Sequence, residues 1–410
     1  MASNDINILV IAPNYCWFIK HNVEAVSKYV NKIHVLVHHN YLAEISTYIP
    51  FDGYVEVVRQ FYVKDKLIDA EGIPDNVNVH IVSSLYLIPD GRNKRLSDKI
   101  ARQYMSYIKK HGIEFDIIHA HFIYPQGDVA IKLGRKFNIP VIITAHGFDV
   151  YNMPFRDDKW NKKIKWILDN SDHVITVSEI NRRILVDKLK IGGEKVAVVP
   201  NGFDPGKFKP ISKTDAREKL NLPKDKKIIL NVANLYTVKG QIFLIKSMKG
   251  VIKDRQDIFC AIVGGGGLRK KLEQLIRELD LEDYVKLFGV KPYTELPLWM
   301  NAADIFVLPS INEGNPSVMF EALGAGLPFI GTKVGGIPEV IISEDYGLLV
   351  EPSNPTDLTE KIIIALNKKW EKELIRKYAQ QFTWDNISRQ TLNIYHTVRE
   401  NHATNKNVNG

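Results

Sequence analysis

The stretch DIFVLPSINEGNPSVMFEALGAGLPFIGT, residues 304–332, decides the fold. It opens on an apolar run, DIFVLPS (304–310), that reads as a strand. A loop carrying Glu313 follows, then a helical pattern over 316–325 and a second apolar run, LPFIGT (327–332). Strand, helix and strand in that order, with continuous rather than alternating apolar character, mean parallel strands covered on both faces. Asn315 suits the N-cap of the helix, and Pro316 suits its first position, where a missing N–H costs nothing.

The same texture extends both ways. Towards the C-terminus, GLLVEP (347–352) reads as a strand, with helices expected over 355–368 and, as one long helical pattern, 371–400. Before it, KIILNVA (227–233), IFCAIVG (258–264) and VKLFG (285–289) read as strands, and helices fit 239–253, 267–280 and 294–302. At 200–210 the chain reads PNGFDPGKFKP, whose prolines and glycines are linker chemistry. Upstream, seven more strands are expected at 6–12, 33–38, 77–82, 115–120, 140–145, 173–178 and 196–200. Helices suit 21–31, 95–111, 127–137, 158–170 and 179–188. The chain is α/β, with two doubly wound parallel-sheet halves. Its 410 residues also exceed one ordinary core.

Composition narrows the function classes. Hydrophobic residues make 45% and charged residues 25%, as in soluble globular proteins. Two cysteines without metal-like spacing suit a reduced, cytoplasmic setting. The N-terminus has no basic segment before its apolar stretch and reads as a first strand rather than a signal peptide. The net charge of +8 invites nucleic acid, an anionic membrane surface or a phosphorylated substrate. Basic residues cluster at 92–110, from Arg92 and Lys94 onward, and at 156–165. No recognition helix, zinc spacing or RNA-binding aromatic motif favours nucleic acid, so none is expected as a partner.

Chemistry concentrates at the carboxyl ends of the strands, where such sheets hold ligands. A helix start at Asn315–Pro316 offers free N–H groups and a partial positive charge to a phosphate. Glu321 lies five residues past Pro316, ~7.5 Å along the axis, about the reach from a diphosphate to a ribose. Glu313, before the helix, stands where it can grip hydroxyls of the group that the diphosphate carries. The plain alternative is a helix with an N-terminal acid and a surface glutamate. Lys239 follows the first strand of the second half and can neutralise a leaving diphosphate. Gly264 to Gly267, Gly265 among them, allow close backbone approach, and LFGVKP (287–292), with Val290, can line a base pocket.

In the first half, His146 follows the strand PVIITA, with Asp149 as a plausible ring partner. It can donate to a sugar hydroxyl. His119 and His121 fall on one strand face without a third metal ligand, so His121 reads as acceptor-lining, as does Tyr124. Tyr15 and Trp17, in PNYCWFIKHN (13–22), suit stacking on sugar or lipid. No metal site is expected.

These segments together resemble the family-four retaining glycosyltransferases of the GT-B fold. The resemblance spans nearly the whole chain, through FDIIHAHFIYPQG, IPVIITAHGFD, ITVSE, VAVVPNGFDPGKF, NVANLYTVKG, IVGGGGLRKKLEQL, VKLFGV, AADIFVLPS and EGNPSVMFEALGAGLPFIGTKVGGIPEVI. It implies two Rossmann-like domains facing a central cleft. The acceptor domain would be 1–200 plus 380–401 and the nucleotide-sugar domain 201–379, with 402–410 a disordered tail. By motif position, Glu321 would bind ribose and Glu313 the donor sugar. Gly314, Asn315, Pro316 and Ser317 would meet phosphates or sugar, Lys239 the diphosphate, and His146 the sugar. The resemblance implies hexose transfer with retained configuration from a UDP- or GDP-hexose, mannose or glucose favoured. It implies no required cofactor and a glycan or lipid-linked acceptor. With the basic charge and the aromatic first loop, it suggests a cytoplasmic protein at the inner membrane face, in peripheral contact with anionic lipid.

Two positions depart from the family pattern. Asn234 stands where the family often has an arginine clamp on the diphosphate, and Arg269 is the basic residue nearest at hand to compensate. The first loop lacks the family's double glycine. Rival readings are a GT-B epimerase or phosphorylase, or a nucleotide-sugar-binding protein without transferase activity.

Overall fold

The computed structural model describes residues 5–45, 63–85, 93 and 95–409. Arg92 and Lys94 of the basic cluster lie outside them. The chain divides into two compact units, residues 1–200 with 384–410 and residues 201–383.

In the first unit, β1 (Asn7–Ala12), α1 (Trp17–Ser27), β2 (Lys32–Asn40) and β3 (Val77–Ser84) are followed by α2 (Leu96–His111), β4 (Ile117–His121) and α3 (Asp128–Phe137). Then come β5 (Val141–Ala145), α4 (Asp158–Asp169), β6 (His173–Thr176) and β7 (Val196–Val198). The seven strands lie in the order β3-β2-β1-β4-β5-β6-β7, all parallel.

The second unit holds β8 (Lys227–Val232), α5 (Gln241–Asp254), β9 (Ile258–Val263), α6 (Arg269–Glu278), β10 (Val285–Gly289), α7 (Leu296–Ala302) and β11 (Ile305–Leu308). It continues through α8 (Ser317–Gly324), β12 (Phe329–Thr332), β13 (Gly347–Val350), α9 (Pro355–Asn367) and α10 (Lys372–Ala379). Its six strands run β10-β9-β8-β11-β12-β13, again all parallel. Each sheet reverses its strand order once, beside β1 in the first and beside β8 in the second. At such a switch point neighbouring loops part and leave a crevice.

The central strands of each sheet are buried on both faces, and residue alternation shows it. In β1, Leu9 and Ile11 enter one core while Ile8, Val10 and Ala12 enter the other. In β11, Phe306 and Leu308 pack on one side and Ile305 and Val307 on the other. No polar face is left on these strands, so ligand chemistry must stand at strand ends.

The last helix, α11 (Trp384–Asn409), belongs to the first unit. Trp384, Ile387, Tyr395 and Val398 are buried in the core that covers β1. Tyr29 donates to Asp385 Oδ1 at 2.6 Å, and Tyr395 Oη lies 2.6 Å from His119 Nδ1. Two sequence expectations change. The helix continues through Asn409, so residues 402–409 are helical rather than a disordered tail. Residues 380–383 group with the second unit, where Phe203 N donates to Phe382 O and the Phe382 ring lies 4.8 Å from that of Phe320, tilted by 50°. Among the described residues, no helix is long and apolar enough to cross a membrane.

Tyr395→Phe removes the hydroxyl from His119 Nδ1 in a fully buried setting. It is expected to cost about 1–3 kcal/mol, read as a lower midpoint of thermal or denaturant unfolding.

Candidate active site

The loop after β8 places Lys239. It closes as a tight turn, Thr237–Lys239, ended by Gly240 at φ +68°. A Cβ on Gly240 would stand 2.0 Å from Pro309 O, so only glycine lets this turn press against the end of β11. Ile311 N then donates to Val238 O at 2.8 Å. The turn and the loop after β11 are thereby joined, and Lys239 Nζ reaches Glu313 Oε1 at 2.7 Å.

Glu313 is 7% exposed. Its Oε1 also accepts from Ser310 Oγ at 2.6 Å. The loop is braced from its other side: Thr332 Oγ1 donates to Ser310 O at 2.6 Å and Gly336 N to Gly314 O at 2.8 Å. Gly335, at φ +52°, has room for no side chain, since a Cβ would lie 2.0 Å from Glu313 O. Loops from β8, β11 and β12 thus converge on one carboxylate.

The start of α8 differs from its sequence expectation. Pro316 occupies the cap position with extended backbone, and the helix begins at Ser317. Asn315 does not cap. Its Oδ1 accepts from Asn201 N at 3.1 Å, while Asn201 Nδ2 donates to Asn315 O at 2.7 Å. The buried linker asparagine competes successfully for the side chain. The helix therefore starts with no side-chain cap on its first N–H groups, which leaves them for another acceptor.

Glu321 lies within α8, 6% exposed, with Oε1 accepting from Tyr293 Oη at 3.0 Å. Burial pushes its carboxyl up to about 7, against the lowering effect of the Tyr293 hydrogen bond. Tyr293 stands in the turn after β10, and nothing in its local sequence marked it. Ser310 and Asn201 were likewise invisible as partners, because each contact is made across loops distant in sequence.

The glycine run does a backbone task in this structure. Gly264 and Gly266 hold φ +144° and +148°, and a Cβ on either would strike Ala233 O or Leu235 O at 2.0 or 2.7 Å. Leu235 N donates to Gly265 O, and Gly264 N to Gly289 O, both at 2.8 Å. The close approach is of backbone to backbone across β8, β9 and β10. Asn234 is exposed, and its carbonyl accepts from Gln241 Nε2 at 3.0 Å. Arg269, expected to compensate for it, pairs with Glu273 at 2.8 Å and donates to Leu287 O at 3.3 Å. Val290 is exposed at the same edge.

In the first unit, His146 follows β5 and is half-buried. Asp149 is not its ring partner. Asp149 Oδ1 accepts from the backbone N–H of His146 and Gly147, and Oδ2 from that of Ile123. The ring instead meets His121, Nε2 to Nδ1 at 3.1 Å. Burial holds both imidazoles below the usual range, His121 at about 4 and His146 well down. Three acceptor-side expectations are corrected: Tyr15 is fully buried in the core, His121 is buried at the end of β4, and Tyr124 is buried against Trp160 with its hydroxyl donating to Asn93 O. Trp17, at positive φ, is half exposed. Phe18 lies 4.9 Å from the His146 ring. Among the described residues no three His, Cys, Asp or Glu side chains are grouped to hold a metal ion.

The Glu321 carboxyl gives a pH signature. Its folded proton affinity exceeds that of the unfolded chain, so the folded state binds more protons between about pH 4.5 and 7. Stability from this group therefore falls as pH rises through that window. Glu321→Gln stays neutral throughout. Relative to the parent it should gain on the order of 1–3 kcal/mol between pH 5 and pH 8, measured by urea unfolding at both.

Comparison with known proteins agrees with this architecture. The model described as "Glycosyltransferase Family 4" matches residues 54–207, and "Glycosyl transferases group 1" matches 212–382. An uncharacterised glycosyltransferase of Methanocaldococcus jannaschii is 29% identical over 297 residues, 72% of this chain and 78% of the relative. A D-inositol 3-phosphate glycosyltransferase of Corynebacterium urealyticum is 26% identical over 315 residues, 72% of this chain and 74% of the relative. Among solved structures, sucrose-phosphate synthase from Thermosynechococcus elongatus superposes with TM-score 0.75 at 23% identity, covering 96% of this chain and 99% of that one. Anabaena HepE in complex with UDP gives 0.72 at 18% identity, covering 96% and 100%. With both halves matched in order and two parallel-sheet units of this topology, the chain belongs to the family-four, group 1 glycosyltransferases of the GT-B fold.

Proposed function

We propose that this glycosyltransferase moves a hexose, glucose or mannose, from a nucleoside-diphosphate sugar to a hydroxyl of a glycan or lipid-linked acceptor, with retained configuration. One observation carries the donor reading. Lys239 and Ser310 hold a buried carboxylate, Glu313, beside an uncapped helix start, with a second buried carboxylate, Glu321, inside that helix. The pattern suits a ligand with hydroxyls at both ends and phosphates between them.

In this reading the N–H groups at the start of α8 and the Lys239 ammonium take the diphosphate and stabilise its charge as the sugar leaves. Lys239 must exchange Glu313 for phosphate, and the released carboxylate accepts hydroxyls of the sugar. Glu321 accepts from the ribose hydroxyls. The acceptor hydroxyl attacks on the face that the phosphate departs from, and a leaving phosphate oxygen takes its proton. His146 contacts a substrate oxygen from the first unit. UDP is the favoured base class, since HepE has been solved with UDP and with UDP-glucose.

Contact with an anionic membrane surface is supported by exposed aromatics with cations above them. Arg156 lies 5.2 Å from the Phe148 ring, Lys188 5.8 Å from Phe155, and Lys163 5.7 Å from Trp166. Rings and cations together suit the headgroup layer.

Lys239→Ala and Glu313→Ala are each expected to reduce turnover by about 100-fold or more with the fold intact. Near-parental rates in both would refute the donor site. In thermal shift, UDP at ~100 times its dissociation constant should add about 2.7 kcal/mol of stability, and Lys239→Ala should abolish most of it. Stabilisation by GDP alone would reassign the donor.

A further inference from the structure

The amino ends of the strands in the second unit carry a basic cluster apart from Lys239 and Glu313. Lys227 is the first residue of β8, and Asp304 directly precedes β11. Because the sheet is parallel, the loops of Lys239 and Glu313 stand at its opposite edge, beyond strands roughly 13–20 Å long. Two adjoining cavities of about 250 and 110 Å³ lie at the amino edge and share Lys213, Lys227 and Asp304. Six lysines and one arginine line them, against two aspartates.

Part of that charge has a local task. Lys224 pairs with Glu218 at 2.9 Å, Lys226 lies 5.3 Å from the Tyr284 ring, and Lys368 donates to Glu344 O at 2.7 Å. Arg217 is buried. It donates to Ala302 O, Lys224 O and Lys226 O and meets Asp304 Oδ2 at 2.8 Å. The same oxygen accepts from Ile228 N at 2.7 Å. Arg217 alone thus balances the Asp304 carboxylate. Yet Lys213 also donates to Asp304 Oδ1, Lys227 Nζ stands 3.8 Å from that oxygen, and Lys372 lines the smaller cavity with both lysines.

Three ammonium groups beyond the needs of one carboxylate repel one another. Two of them also begin helices, Lys213 that of Lys213–Lys219 and Lys372 that of α10, and the dipole disfavours a cation at that end. Desolvation and the Lys213 ammonium hold Lys372 below the usual lysine range, while Asp304 pulls the other way. A bound anion relieves this conflict, and one of several charges answers three ammoniums best. Every residue lining the larger cavity is polar or charged, which suits an oxyanion, and lysine serves phosphate as a point charge. We propose that this edge of the second unit is an anion site, separate from the donor site, that takes a multiply charged phosphoanion (a phosphate monoester or a diphosphate) on Lys213, Lys227 and Lys372.

The test is calorimetric titration with inorganic pyrophosphate at fixed ionic strength. Lys239→Ala removes the lysine contact of the donor site and should leave a one-site isotherm. Adding Lys227→Gln and Lys372→Gln to it should weaken that binding by about tenfold or more. Without ligand at low salt, the two glutamines should leave the unfolding midpoint unchanged or raised, since they remove repulsion. The proposal is overturned if Lys239→Ala binds no pyrophosphate, or if affinity is the same with and without the glutamines. A midpoint lowered by the glutamines overturns it too, because the lysines would then be counter-ions of Asp304. If Lys239 is no phosphate clamp, Lys239→Ala binds as the parent does and the glutamines still decide, so the two readings fail separately. Phosphatidylcholine vesicles with and without phosphatidic acid separate the sources. Phosphatidic-acid-dependent capture that the glutamines abolish assigns the monoester to a lipid headgroup, and pyrophosphate binding without such capture assigns it to a free anion.

Discussion

A parallel sheet buried on both faces has no polar surface to offer, and that constraint governs each unit of this molecule. Side chains from alternate positions of β1 and of β11 enter opposite cores. Polar and charged groups that act on a ligand are therefore displaced to the loops after the strands. Those loops must be held by their own hydrogen bonds, because no sheet ladder reaches them. In the second unit the bracing comes from backbone contacts that only glycine permits, at Gly240, Gly264 and Gly335. The glycines fix where the loops lie, and so fix where Lys239 and Glu313 meet.

The resulting site holds two buried carboxylates with different partners. Glu313 meets an ammonium and a hydroxyl on one oxygen. Glu321 accepts from a tyrosine hydroxyl, and burial raises its carboxyl towards neutrality. A ligand that offers hydroxyl donors to Glu321 would favour its ionised form. A ligand that offers phosphate to Lys239 would compete with Glu313 for the ammonium.

Local chemistry was legible where local contacts decide structure. The alternation of apolar runs with helical patterns named the strands of both sheets, and the small residues of NEGNPSVMFEALGAG marked the strand-to-helix turn. It misled where a distant partner outcompeted a local one. Asn315 has the composition of an N-cap, yet Asn201, 114 residues away, takes its side chain and backbone carbonyl. Asp149 is well spaced to meet the His146 ring, yet three backbone N–H groups claim it first. Tyr15 and Tyr124 look like cleft aromatics, but their large apolar areas are worth more in the core. A disordered tail was expected over 402–410, yet α11, anchored upstream by Trp384 and Tyr395, continues through Asn409.

The sequence by itself determined the α/β class, the two sheets and the family, because burial on both faces writes itself into the central strands as continuous apolar runs. It also marked Glu313, Glu321, Lys239 and His146, since strand ends are where polar residues of such a sheet can stand. Only the tertiary structure decided who pairs with whom: Lys239 with Glu313, Tyr293 with Glu321, His121 with His146 and Asn201 with Asn315. The reason is that a hydrogen bond between loops depends on the distance between strand ends. Strand order and backbone packing set that distance, and residue spacing along the chain does not.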